Sequence, residues 1–191
     1  MTITRDEALD LLHEHMGNVN LRRHCHAVEA VMRALAKHFG EDEDTWGIAG
    51  LLHDADYEEL KGTERVTTDH TKLTIEWLKK MQGTTDISDT IASHAWGYVE
   101  DAPKPTNKMQ WSLYCSDELT GLIVAVALVK NADISVVTVD SVMKKWKEKS
   151  FAAGANREQI EKCEEYLKIP LREFIEIALR AMQQISSELG L

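Results

Sequence analysis

The chain is short of the residues that break, staple or flex a fold. Three prolines and ten glycines in 191 residues exclude collagen-like, linker-rich and loop-dominated architectures. Three scattered cysteines (Cys25, Cys115, Cys163) include no Cys-x-x-Cys pair, so no disulfide framework is expected and the thiols read as reduced. Long apolar runs are missing too. The longest, Gly121 to Val129, is about half of the ~20 residues that span a bilayer and suits a buried helix. The polar start Met-Thr-Ile-Thr-Arg-Asp-Glu-Ala fits neither a signal nor a transit peptide, and the expectation is a soluble, cytoplasmic protein with no membrane partner. Positive charge is scarce: 22 basic residues against 32 acidic ones leave a net charge of -10, which repels phosphate backbones and argues against large nucleic acids as partners. A small phosphorylated ligand still fits such a chain where cations gather locally, and a metal ion is the simplest way to gather them.

What is present is enough for one core. With 43% hydrophobic and 28% charged residues, the chain is expected to fold as a single domain over residues 1–191. The periodicity is helical. Thr4 with Glu7 makes a capping box ahead of Ala8, Leu11 and Leu12. Asn20 is read as the cap of a second helix that carries Leu21, His24, Val28, Val31, Met32 and Leu35 on one face and stops at Gly40. A shorter helix is expected from about Asp44 to His53, a polar loop over 55–68, a helix capped by Asp69, and another from Asp86 that carries His94. Pro103, Pro105 and Asn107 mark a break before a long core segment, Met109 to Val129. Residues 134–139 are β-branched and read as a short strand or, preferably, a loop into a Val142–Lys149 helix. Asn156 with Gln159, then Pro170, open the last helices, and those from about 138 to 191 are expected to pack on the core. The fold class is all-α: a compact bundle of seven to nine helices.

The chemistry lies in the histidines. His24 falls on the apolar stripe of its helix, His53 and Asp54 are adjacent after Gly50-Leu-Leu, and Asp117 opens the buried stretch Asp117-Glu-Leu-Thr-Gly-Leu-Ile-Val. An aspartate at the mouth of so apolar a segment is unfavourable unless it pairs or binds a cation. Imidazoles and carboxylates converging from separate helices are how a bundle builds a metal site. Each residue also has an ordinary structural reading: a satisfied core histidine, a helix terminus, a cap. The ordered set is what carries weight.

That set, His24 in His-Cys-His-Ala-Val-Glu, then Gly50-Leu-Leu-His-Asp, then Asp117 in Cys-Ser-Asp-Glu-Leu-Thr-Gly, resembles the HD superfamily of metal-dependent phosphohydrolases. The resemblance implies His24, His53, Asp54 and Asp117 as metal ligands. His26 lies two residues from His24 and cannot share its face; His24 is preferred because it sits in register with the stripe and because the resemblance implies a valine four residues after the ligand, as Val28 is. His70 and His94 fall between the HD pair and Asp117, and the resemblance implies either a second metal site bridged by Asp54 or contacts to substrate phosphate. Asp54, His70 and His94 are thus the catalytic candidates, while His13, His15 and His38 have no place in the pattern. Mixed nitrogen and oxygen ligands suit Mn, Fe, Co, Ni or Mg, one or two per chain. With no glycine-rich phosphate loop and no Gly-x-Ser-x-Gly elbow, catalysis must rest on the metal.

The implied activity is hydrolysis of a phosphomonoester or phosphodiester, a nucleotide by preference, through metal-activated water. The alternatives are a non-catalytic HD domain that binds nucleotide or metal in a regulatory role, and a helical interaction protein whose match is accidental. Lys149 and Arg157, beside a glycine-containing turn at a helix start, read equally as substrate-phosphate contacts or as a charged helix end and its cap. Asp56, Tyr57 and Glu58 would shape the entrance or meet a ribose. Trp96 and Tyr98 would stack on a base or simply pack.

Overall fold

A computed structural model describes residues 3–81 and 83–191. Among them there are twelve α-helical segments and no strand: α1 Arg5–His15, α2 Val19–Phe39, α3 Glu43–Leu52, α4 Tyr57–Leu60, α5 Val66–Asp69, α6 Lys72–Lys80, α7 Thr85–His94, α8 Lys108–Leu128, α9 Val139–Trp146, α10 Arg157–Lys162, α11 Leu171–Gln184 and α12 Ser186–Leu189. A 3₁₀ turn covers Ile134–Val136, and a π-helical turn covers Cys163–Leu167. The fold is all-α. Three of the twelve helices, α4, α5 and α12, are single turns that a periodicity argument passes over.

Local chemistry sets the ends. Thr4 and Glu7 form their reciprocal capping box. Asn18, not Asn20, caps α2, its side-chain oxygen accepting from the amides of Asn20 and Leu21. Gly40 closes that helix in the left-handed region at φ 72°. Asn107 caps α8 and Asn156 caps α10, each accepting from the amide three residues on. The β-branched run after Ile134 forms no strand because its carbonyls already have partners: the Gln183 amide on α11 donates to Ile134 and Val137 at 3.0 and 3.2 Å.

The centre of the bundle is α8, which packs against α2, α7, α10 and α11. It is long and apolar enough to cross a membrane, but 67% of that window is buried inside the fold, which marks it as the core helix. α2 and α3 form the most extensive helix pair. Gly50 makes their approach close: a Cβ there would lie 2.9 Å from the Val28 carbonyl oxygen and 3.0 Å from the Glu29 Cα. Both neighbours are backbone of a long helix and cannot swing away. Gly50→Ala is therefore expected to lower stability by about 1–3 kcal/mol, read from urea midpoints. A change within ~0.5 kcal/mol, the ordinary surface range, would show that the pair can separate freely.

Candidate metal centre

Two helices and the ends of three others bring six side chains to one place. α2 supplies His24, and the end of α3 runs on in helical conformation through His53 (φ -54°, ψ -37°) to Asp54. His70 follows α5, His94 ends α7, and Asp117 stands in the middle of α8. His24 Nε2 lies 3.2 Å from His53 Nε2 and 3.0 Å from Asp117 Oδ1, which is itself 3.5 Å from His53 Nε2. Asp54 reaches both sides. Its Oδ2 is 3.6 Å from His53 Nε2 and 3.8 Å from His24 Nε2, whereas its Oδ1 is 3.3 Å from His70 Nε2 and 3.4 Å from His94 Nε2. The sets His24–His53–Asp117 and His53–Asp54–His94 each bring their ligand atoms within 4.8 Å of one another.

The outer nitrogen of every imidazole is engaged, and this decides what the inner one offers. His53 Nδ1 donates to the Gly50 carbonyl at 2.8 Å and His94 Nδ1 to the Ile91 carbonyl at 2.6 Å. His70 Nδ1 donates to Asp56 Oδ1 at 2.8 Å. The Thr120 hydroxyl donates to the Asp117 carbonyl at 2.8 Å, so its oxygen accepts from His24 Nδ1 at 3.3 Å. In the neutral tautomers these bonds select, four bare Nε2 lone pairs converge on two carboxylates. Such a donor set repels itself unless positive charge enters, and it fits a divalent cation.

The electrostatics follow the same logic. Burial works against charge on Asp54, but His53, His70 and His94 outweigh it and hold the carboxyl well below the ordinary range. Burial likewise opposes ionisation of Asp117, and His24 and His53 overcome it. Burial disfavours the imidazolium at His53, yet Asp54 and Asp117 push it up to about 9. At His70 burial is again outweighed, by Asp54 and Asp56, which push it up to about 10. Two half-buried carboxylates demand cationic charge, and protons and a metal ion compete for the same nitrogens.

Beside the cluster a cavity of about 340 Å³ is lined by Tyr57, His70, His94, Tyr98, Val99 and Glu118 among others. A second, of about 320 Å³, runs from His24 and Gly121 to the turn at Ala152–Ala155. Asp117 and Glu118 border both, and among the described residues neither cavity has a lysine or arginine in its wall. Burial, with Asp117 alongside, raises the Glu118 carboxyl.

Several sequence expectations change. Asp56 neither shapes the entrance nor is free for a ribose: it is wholly buried, holding His70 and accepting from the Thr74 amide at 3.2 Å. Glu58 faces away, accepting from the Asn18 amide at 2.8 Å. Asp69 does not cap α6. It is paired with Arg65 at 2.7 Å, and the chain turns between the helices at Thr71 (φ 72°), leaving His70 aimed inward. The arginine of the supposed phosphate pair is engaged elsewhere: Arg157 donates to the carbonyls of Phe151, Ala152 and Ala155 at 2.5–2.7 Å and closes the turn before α10. Lys149 is exposed and lines neither cavity. The structure therefore does not bring this pair to the cluster, because the turn's own carbonyls take the guanidinium. Trp96 packs on Trp111 and Tyr114 away from the cavity, while Tyr57 and Tyr98 do line it. His26 points to Glu29, with Nδ1 at 3.7 Å from its carboxylate, and His15 stacks on Trp77.

Among curated proteins and among solved structures nothing matches the chain. The sequence profile of the HD domain does match, over residues 21–134. That stretch is well over half of the chain and contains all six converging residues, from His24 to Asp117. The chain belongs to the HD-domain family, whose members are generally metal-dependent hydrolases.

Proposed function

We propose that the protein is a metal-dependent phosphohydrolase that cleaves a small phosphomonoester or phosphodiester, a nucleotide by preference. The observation that carries this reading is the division of Asp54, with one oxygen facing His24 and His53 and the other facing His70 and His94. His24, His53, Asp54 and Asp117 would hold one ion, and Asp54, His70 and His94 a second. A divalent cation there lowers the pKa of water and neutralises phosphoryl oxygen charge in the transition state. The chain's own residues do the rest. Asp54 orients the attacking water toward the cavity, Asp56 and the carbonyls of Gly50 and Ile91 fix the imidazole rings, and Tyr57 and Tyr98 flank the space left for the leaving group. Beyond the profile match, α10 and its cap bond two residues that line that space, Gln159 accepting from Tyr98 and the Asn156 amide donating to Glu118, which favours treating residues 1–191 as one unit.

Elemental analysis of protein purified without chelator or metal-affinity resin tests the reading. About two ions of Mn, Fe, Co or Ni per chain are expected, falling by about one in His70→Ala. Unchanged stoichiometry in that variant would return His70 to the role of phosphate contact. No metal, with no rise in the melting temperature of wild type on adding Mg²⁺ or Mn²⁺, would remove the enzymatic reading.

A further inference from the structure

The acidic groups at the cavity differ in how their charge is met. Asp54 faces four imidazoles and Asp117 faces two. Glu118, on the same helix as Asp117, is met only by neutral donors: the Tyr98 hydroxyl at 3.0 Å from Oε1 and the Asn156 amide at 2.9 Å from Oε2. Tyr98 is itself positioned by Gln159 at 2.9 Å, whose amide nitrogen is fixed on the Tyr114 carbonyl at 2.7 Å. Arg157 makes no ion pair with Glu118, since its N–H groups close the adjacent turn. Glu118 is thus an immobilised carboxylate with no cationic side chain bonded to it, His24 and Arg157 acting on it only from beyond contact, and it stands where the two cavities meet.

We infer that Glu118 determines specificity by leaving-group charge, admitting phosphate esters whose leaving group is neutral or cationic and excluding those that carry further anionic groups. This rests on the phosphohydrolase reading of the cluster and extends it. The His-Asp cluster receives one phosphoryl group. The remainder of the substrate then lies in a cavity walled by tyrosines, small apolar side chains and, beyond the cluster's own Asp54 and Asp117, the fixed carboxylate of Glu118, with no lysine or arginine among the described residues of its wall to accept a second phosphate or a carboxylate. At separations of a few ångströms in partly buried surroundings, one uncompensated charge shifts affinity by roughly tenfold or more. A monophosphate of a hydroxyl-rich or amine-bearing molecule suits that wall, because its donors can use the remaining lone pairs of Glu118. A nucleoside di- or triphosphate does not.

Binding of non-hydrolysable probes tests this without relying on turnover. Mn²⁺-loaded protein at pH 8 is titrated calorimetrically with phenylphosphonate, 4-(aminomethyl)phenylphosphonate and 4-carboxyphenylphosphonate. Wild type is expected to bind the cationic probe at least tenfold tighter than the anionic one, with the neutral probe between. Glu118→Gln is expected to bring all three within about threefold. A preference equally strong in Glu118→Gln would assign it to the overall charge of -10 and overturn the inference. Equal affinities in wild type would overturn it as well. If Glu118→Gln melts non-cooperatively, Glu118→Ala, which removes the carboxylate together with both of its hydrogen bonds, must level the three affinities instead, and an unchanged ratio there counts against the assignment. Failure of every probe to bind overturns it too. Mn²⁺ uptake, measured first in the same cell, shows separately whether the phosphohydrolase reading has failed with it.

Discussion

Asp54→Ala is expected to abolish hydrolysis and empty the centre, while His26→Ala does neither. Among the described residues Asp54 is the one carboxylate within 4 Å of all four imidazoles, so its loss removes a ligand from both halves of the cluster at once. The remaining donors would be four imidazoles and a single carboxylate, Asp117. Without Asp54, one of the two carboxylates that hold each of His53 and His70 above the ordinary imidazole range is gone, only Asp117 and Asp56 remain to do so, and less positive charge is drawn into the site. Metal-assisted charge stabilisation is worth several kcal/mol in a phosphoryl transition state, and at about 1.4 kcal/mol per decade the loss in kcat/KM is on the order of 10³-fold or more. Metal content per chain should fall together with the activity, and added Mn²⁺ should raise the melting temperature of wild type but not of the variant. His26 lies on the other side of α2 against Glu29, so removing it leaves the ligands in place. Full activity in Asp54→Ala would sink the mechanism. Metal uptake by wild type without turnover of any phosphate ester would instead favour the regulatory alternative.

The helix registers were legible and the side-chain contacts much less so. The stripe through Leu21, Val28 and Met32 puts His24 toward the site and His26 away from it, because a 3.6-residue period separates positions two apart by more than a right angle, although His26 turns out half-buried against Glu29. The length and apolar content of Met109–Val129 foretold a core helix, and α8 is one. Asp56 was illegible. Residues 55–68 have the composition of a solvated loop, yet two helical turns fold Asp56 under His70, and nothing local in Asp-Tyr-Glu-Glu says which carboxylate turns inward. The usable signal was relational: a histidine facing a metal site needs an acceptor for its second nitrogen, and Asp56 is the acidic residue nearest the HD pair. Thr120 was readable on the same grounds, one turn after Asp117 on the His24 side. Arg157 misled for the opposite reason. Sequence reports that a charge is present near a turn but not that the turn's three carbonyls are turned inward to receive it.

Glu29→Ala is expected to be strongly destabilising, by about 3 kcal/mol or more, with little effect on metal affinity. Glu29 is buried on α2, where an acidic side chain has no place unless it is paired. Arg5 from α1 donates to both its oxygens, at 2.6 and 3.0 Å, and Arg33 one turn on donates at 3.0 Å. Arg33 also reaches Asp44 at 2.7 Å and the Glu43 carbonyl at 3.3 Å, so the carboxylate ties α1 to α2 and, through Arg33, to α3. Truncation leaves two guanidinium groups partly buried beside an apolar gap, a situation that costs about 3–5 kcal/mol. The pH dependence provides an independent check. Burial alone would raise the Glu29 carboxyl, but His26, Arg5 and Arg33 together bring it down to about 2. A carboxyl depressed in the folded state, against about 4.5 when unfolded, contributes stability that is fully present above pH 4.5 and disappears as the pH falls toward 2. At about 1.4 kcal/mol per pKa unit that contribution is about 3 kcal/mol. Wild type should lose it on acidification between those limits, whereas Glu29→Ala, already lacking it, should show a flatter stability profile over the same window. Urea midpoints at pH 7, 4.5 and 2.5 measure both curves, and parallel slopes would mean that the acid sensitivity resides elsewhere.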